Sequence, residues 1–195
     1  RGLDGKLNPL PAKHVDTGMG FERVCSVIQN AGSNYNTDVF KPLMDAIGEL
    51  ASAKYTGKLE LPMDTAFRVI ADHARMSAFA ITDGARPGNK KRDAVLRSVI
   101  RRAVRYGYQV MKFRDPFLYR LVPVIQGQMG DAFPELNRNP EQVANIIKEE
   151  ETSFFATVER GLAVFEDASK AASSGNRVFD GKIAFDLHQE LGFPI

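Results

Sequence analysis

The chain has 195 residues, 44% of them apolar, with 26 Lys plus Arg against 24 Asp plus Glu and a single cysteine, Cys25. That composition is enough to bury one sizeable core or two modest ones, it argues for a folded protein, and the single cysteine excludes a disulfide framework within the chain. No apolar stretch approaches the ~20 residues of a membrane span, so a soluble protein without a membrane partner is expected, in a reducing cytoplasmic or mitochondrial setting.

The near neutrality hides a strong asymmetry. Ten basic residues and one acid, Asp93, lie between Arg86 and Arg114. A patch of about +9 therefore sits in a body of about −7, and such segregation attracts phosphate backbones. The first residue is Arg rather than Met, and nothing after Gly192-Phe193-Pro194-Ile195 resembles a finished end. A piece of a longer polypeptide is expected.

Residues 1–13 hold two Gly and two Pro and read as a loop. His14-Val15-Asp16 is short and extended, and Thr17-Gly18-Met19-Gly20 is a flexible turn. From Phe21 to about Gln29 the pattern is helical, with Val24, Val27 and Ile28 on one face. Asn36-Thr37-Asp38 is placed to cap a helix from about Val39 to Ser52. After a connector at 54–64, a helix to about Thr82 puts Ile70, Ala74, Ser77 and Ile81 on one stripe. Asp83 to Asn89 is a turn by composition, and a basic helix follows from about Lys91 to Lys112.

Phe117 to Met129 reads as a short apolar helix that Pro123 can kink. Asn139-Pro140-Glu141-Gln142 opens the longest helix, whose apolar positions Val143, Ile147, Phe154, Val158, Leu162 and Phe165 keep helical spacing until Ser173-Ser174-Gly175. Within it, Glu149-Glu150-Glu151 reads as a solvated turn, and Phe154 and Phe155 as core. A last short helix runs from about Lys182 to Glu190. His14, His73 and His188 are too scattered for a metal site, and His73 reads as a packed or surface histidine.

In the basic helix, at about 100° per residue, Leu96, Val99, Ala103, Tyr106 and Val110 share a narrow sector, with Arg97, Arg101, Arg105, Tyr108 and Lys112 opposite. Like charges at this spacing destabilise a helix unless something relieves them. A phosphate backbone would, and seven Arg to three Lys in the segment suits bidentate phosphate contacts. A nucleic acid is therefore the expected partner. Charge alone does not separate RNA from a helix-turn-helix mode on DNA.

The second informative segment is Asp16-Thr17-Gly18-Met19-Gly20-Phe21-Glu22-Arg23. Glycines let a ligand approach the backbone, and a helix start with Arg23 beside it suits an anion. Gly18-Met19-Gly20-Phe21-Glu22-Arg23 resembles motif 3 of the class II aminoacyl-tRNA synthetases, and Val15 to Arg23 as a whole resembles the alanyl-tRNA synthetase family. Four further segments match that family in order: Ser33-Asn34-Tyr35-Asn36-Thr37-Asp38; Arg68-Val69-Ile70-Ala71-Asp72-His73-Ala74-Arg75; Val95-Leu96-Arg97 with Ile100-Arg101-Arg102-Ala103-Val104-Arg105; and Gly192-Phe193-Pro194.

The resemblance implies a mainly α fold: a strand–helix remnant of a class II antiparallel-sheet catalytic domain in residues 1–30, then a helical tRNA-recognition domain in residues 31–195. It implies that Arg23, with Gly20 beside it, binds ATP and with Mg²⁺ steadies charge as L-alanine attacks the α-phosphate. Asp16 would pair with the α-amino group of alanine, and Gly18 would keep the pocket open to a methyl side chain. The helical domain would read a G·U wobble pair in the acceptor stem of tRNA(Ala). Asn89 would hydrogen-bond that pair, and Arg92, Arg97, Arg101 and Arg105 would contact phosphate or sugar.

The family commonly has Tyr-Asp-Thr-Tyr before Gly-Phe-Pro. Here the stretch is His188-Gln189-Glu190-Leu191, so Gln189 replaces an aspartate that helps read the wobble pair. Asp93-Ala94 and Ser98 also depart from the family pattern. The alternative is a non-catalytic helical nucleic-acid-binding module acting through residues 91–112. The resemblance covers neither motif 1 nor motif 2, so the 195 residues alone, needing no cofactor, are expected to form no alanyl-adenylate. ATP–pyrophosphate exchange by the purified chain checks this: background exchange is expected, and turnover above it contradicts the expectation.

Overall fold

The computed structural model describes residues 5–7, 9, 12, 15, 17–174 and 179–189, the side chains of 171–174 and 188–189 excepted. Seven α-helices follow one another among the described residues: α1 (Phe21–Ile28), α2 (Lys41–Ala51), α3 (Pro62–Thr82), α4 (Lys91–Gln109), α5 (Val122–Met129), α6 (Pro140–Ser174) and α7 (Gly181–Gln189). Single 3₁₀ turns lie at Asn34–Asn36, Leu118–Leu121 and Pro134–Asn137. The expected helical architecture is present. No strand occurs among the described residues, and of the extended segment expected at 14–16 only Val15 is described.

α3 is the central element, packed by α2, α4, α5 and α6. Pro62 sits in its first turn, where a missing N–H costs nothing. Its expected stripe of Ile70, Ala74, Ser77 and Ile81 is buried, joined by Phe67, Ala71 and Ala78. Alanines at 71, 74 and 78 let the backbone of a neighbouring helix come close, and α4 lies along α3. Phe40, Leu43, Ile47, Leu96, Ile100, Leu118, Leu121, Ile125, Ile147 and Phe154 complete the innermost layer.

Pro123 does not kink a helix. The chain passes from the 3₁₀ turn into α5 at Val122, so the proline falls in the first turn of a new helix and starts it. α4 stops at Gln109, short of the expected Lys112, which adopts a left-handed φ of 64° while its Nζ donates to the Gln109 carbonyl at 2.7 Å. At Gly107 a Cβ would stand 2.4 Å from the Phe117 ring. Glycine there is what lets that ring pack onto α4.

The acidic triplet of α6 is not a solvated turn. Glu149 is exposed, but Glu150 is 7% exposed and Glu151 fully buried. Buried carboxylates need partners, and Glu151 accepts hydrogen bonds from the backbone N–H groups of Phe117 (2.9 Å), Leu118 (2.8 Å) and Tyr119 (3.0 Å). These are N–H groups at a 3₁₀ start, which have no partner within their own turn. One side chain of α6 thereby holds the segment that carries Leu118 and Leu121 into the core.

Burial pushes the Glu151 carboxyl up to about 7, against the pull of its three N–H donors. A carboxyl whose folded value is raised contributes stability below its ordinary range and loses it as pH rises through about 7. Each unit of the difference corresponds to about 1.4 kcal/mol. Urea unfolding midpoints of the chain are therefore expected to fall between about pH 5 and 7, and Glu151→Gln, which keeps an acceptor oxygen without the titration, flattens that fall. Parallel pH profiles for the two proteins would contradict the assignment.

Candidate functional site

Gly20 is the N-cap of α1 in an extended conformation, with no side chain capping the helix start. The Arg23 stem folds back over it: a Cβ on Gly20 would lie 3.4 Å from Arg23 Cδ, an ordinary contact. A Cβ on Gly18 would meet nothing within 4 Å. Arg23 is exposed and has no carboxylate partner among the described residues. It lines a polar cavity of about 460 Å³ with Gly20, Asn34, Tyr35, Asp72 and Arg75. Asp16 lies outside the described residues.

α1 is held to the helical body mainly by polar contacts, with Cys25 alone of its apolar residues packed against the core. None of its residues is buried, and Val27 and Ile28, expected on a packed face, are 81% and 78% exposed. At its N-terminal end Arg75 of α3 donates to the Glu22 carboxylate while its guanidinium lies 4.4 Å from the centre of the Phe40 ring. At its C-terminal end the Gln29 amide donates to Asp38 Oδ1 at 2.6 Å and accepts the Asp38 N–H at 3.1 Å. The backbone N–H at Glu22, with Arg75 adding to it and burial opposing, holds the Glu22 carboxyl below its ordinary range.

The segment expected to cap α2 does something else. Ser33 Oγ accepts the Tyr35 N–H at 3.3 Å, Thr37 Oγ1 donates to the Asn34 carbonyl at 2.6 Å, and α2 starts after Phe40 with no side-chain cap. The resulting turn delivers Tyr35 to α3, where its hydroxyl donates to Asp72 Oδ2 at 2.7 Å. Burial and then the bond to Asp72 raise the Tyr35 hydroxyl well above its ordinary value.

On the other side of α1, a larger groove of about 1020 Å³ is lined mainly by apolar side chains, among them Phe21, Cys25, Met76, Phe79, Met129 and Phe133. His73 stands at its edge, its value lowered by burial and by the charge of Arg102, with Asp72 opposing. Sequence reading missed this groove, because its walls come from four helices, α1, α3, α4 and α5, that each look ordinary alone.

The basic helix buries Leu96, Ile100, Ala103, Val104 and Gly107. Val99, Tyr106 and Val110, expected in the stripe, are only partly covered. The buried face is thus rotated by roughly 60° toward the arginine side, at about 100° per residue. Arg97 and Arg101 consequently turn toward α6 and are half-buried. Their Nε atoms donate to the two oxygens of Glu150 at 3.2 and 2.7 Å, and Arg101 also lies 5.1 Å over the Phe154 ring. Arg92 and Arg102 are exposed, and Arg105 is partly so, 6.0 Å over the Tyr106 ring. Asn89 is exposed ahead of α4, and its side-chain oxygen accepts a hydrogen bond from Arg97. Gln189 is the last residue of α7, its side chain outside the description.

The family described as tRNA synthetases class II (A) matches the chain over residues 1–195. The chain belongs to this family. It is 50% identical to an alanine–tRNA ligase of Chlorobium phaeobacteroides over 196 residues, and 48% identical to those of Christiangramia forsetii over 195 and Bacteroides fragilis over 196. Each match covers 100% of this chain and 22% of the relative, so the chain spans about a fifth of the length of these ligases. Among the described residues no helix is long and apolar enough to cross a membrane, and no three acidic, histidine or cysteine side chains gather to hold a metal.

Three of the segments that carry the synthetase resemblance, 18–23, 33–38 and 68–75, meet at the cavity beside Arg23. Asp72 and Arg75, singled out for no role in the sequence, are what join them. Arg75→Ala is expected to release α1 while leaving the core intact. Amide hydrogen exchange at 24–29 then accelerates at least tenfold, while Ile70 and Ala71 of α3 keep their protection. Glu22→Gln reproduces part of the effect, and unchanged exchange in both variants would contradict the clasp.

Proposed function

We propose that the chain supplies two parts of an alanine–tRNA ligase: the motif 3 side of the alanine-activating site and the surface that receives the acceptor stem of tRNA(Ala). In the intact enzyme the reaction is ATP-dependent activation of L-alanine followed by transfer to the tRNA 3′ end. The observation that carries this reading is the convergence of the 18–23, 33–38 and 68–75 segments on one polar cavity, into which Arg23 brings a charge with no partner among the described residues.

A guanidinium so placed fits a nucleotide phosphate. Arg23 holds ATP there, with its stem laid over Gly20. Asp16 receives the ammonium group of alanine, and Gly18 leaves room for the methyl side chain. Mg²⁺, when bound with ATP, supplies charge neutralisation on the phosphates. Residues 1–30 belong to the activating half and 31–195 to the RNA-binding half, a division supported by the polar, unburied attachment of α1.

On the RNA side, Asn89 reads the G·U pair, with Gln189 as the second candidate. An amide carries both a donor and an acceptor and so can address a base edge. Arg92, Arg102 and Arg105 contact phosphates from the accessible side of α4. Arg97 and Arg101, turned toward Glu150, are left out of these phosphate contacts.

Asn89→Ala is expected to weaken binding of an acceptor-stem minihelix carrying G·U by roughly tenfold or more, about 1–3 kcal/mol, with a much smaller loss for the G·C version. A titration of both minihelices at one fixed salt concentration checks it. Equal losses for the two would instead favour a helical module that binds by charge alone.

A further inference from the structure

Arg97 occupies a position that phosphate binding does not explain. Its Nε donates to Glu150 Oε2 at 3.2 Å, and its Nη1 donates to the side-chain oxygen of Asn89. Glu150 is 7% exposed and itself fixed, because its other oxygen receives Arg101 Nε at 2.7 Å. The guanidinium is therefore pinned at one edge to a buried carboxylate and presents its other edge to the exposed amide. Only a planar fork can face both acceptors at once.

Arginine has donors and no acceptor, so it dictates which end of the amide faces it. The Asn89 oxygen must point inward, toward Arg97. The NH₂ group is then left as the outward-facing end. The loop that carries Asn89 is also pinned: the Gly88 N–H donates to the Asp93 carbonyl at 3.0 Å, and a Cβ on Gly88 would meet Asp93 Cβ at 2.9 Å.

We propose that Arg97 is a positioning residue, held by Glu150, that fixes Asn89 as a hydrogen-bond donor toward an acceptor atom on an RNA base. This rests on the reading of Asn89 as the residue that recognises the wobble pair. It gives that reading a polarity: Asn89 offers N–H, and the base edge supplies the oxygen or ring nitrogen. Arg97 acts through Asn89 and touches no base.

The test is a comparison in the intact enzyme of Kd for G·U and G·C acceptor minihelices across Asn89→Ala, Arg97→Ala, Arg97→Lys and the double variant Asn89→Ala/Arg97→Ala. Arg97→Ala is expected to reduce the G·U preference by a factor close to that of Asn89→Ala, and the double variant no further, since the two act as one unit. Arg97→Lys keeps a charge against Glu150, and so guards against simple unfolding, yet one ammonium cannot serve both acceptors. It is expected to lose the preference as well, while retaining the salt dependence of the parent.

An unchanged preference in both Arg97 variants, beside a lost preference in Asn89→Ala, would overturn the positioning role alone. Equal weakening on both minihelices with a salt slope shallower by about one would likewise overturn it, marking Arg97 as a phosphate contact. An unchanged preference in Asn89→Ala would overturn the reading of Asn89 itself, and the proposal with it.

Discussion

Two adjacent carboxylates on α6 set the terms for the rest of the molecule. A buried carboxylate without partners is costly, and breaking a buried pair costs about 3–5 kcal/mol. Glu150 meets this constraint with two guanidiniums of α4, and Glu151 meets it with three backbone N–H groups ahead of α5. Neighbouring residues on a helix point about 100° apart, so the pair reaches in two directions at once. α4 and the 117–119 segment are thus tied to the same turn of α6, and α3 fills the space they enclose.

That arrangement divides the basic segment into inner and outer charges. Arg97 and Arg101 balance Glu150, Arg101 also lying over the Phe154 ring, while Arg92 and Arg102 stay in solvent. The i, i+4 repulsion along α4 is relieved from within, by α6, at two of its positions. The electrostatic attraction for a phosphate backbone survives, because the excess of basic residues in the segment far exceeds what one carboxylate removes. On the proposed reading, affinity and orientation fall to different arginines on one helix.

A similar division applies at the other end of the chain. α1 carries Arg23 and has no fully buried residue, and besides the partly covered Cys25 it depends on Arg75 and Asp38 for its attitude toward the body. The helices were legible in the sequence because their signals are local: apolar spacing in α3 and α6, the proline at the start of α6, glycine-rich turns between them. The face of α4 was not, since Ile100 and Val104 lie between the apolar and basic sectors and only the neighbouring helix decides the rotation. Glu150 and Glu151 look solvated in any window of α6, because their partners sit 32 to 53 residues away. Arg23 and Asn89 stood out through motif resemblance, whereas Arg75, Asp72 and the role of Arg97 emerge only when distant segments meet.

The proposed opposite duties of neighbouring arginines on α4 are tested most directly by the salt dependence of acceptor-minihelix binding. Arg102→Ala should weaken binding and lower the slope of log Kd against log salt by about one, as for one lost phosphate contact. Arg101→Ala should leave that slope unchanged and lower the urea midpoint instead. The reverse pattern, a slope lost at Arg101 and kept at Arg102, would contradict the division of charge between Glu150 and the RNA.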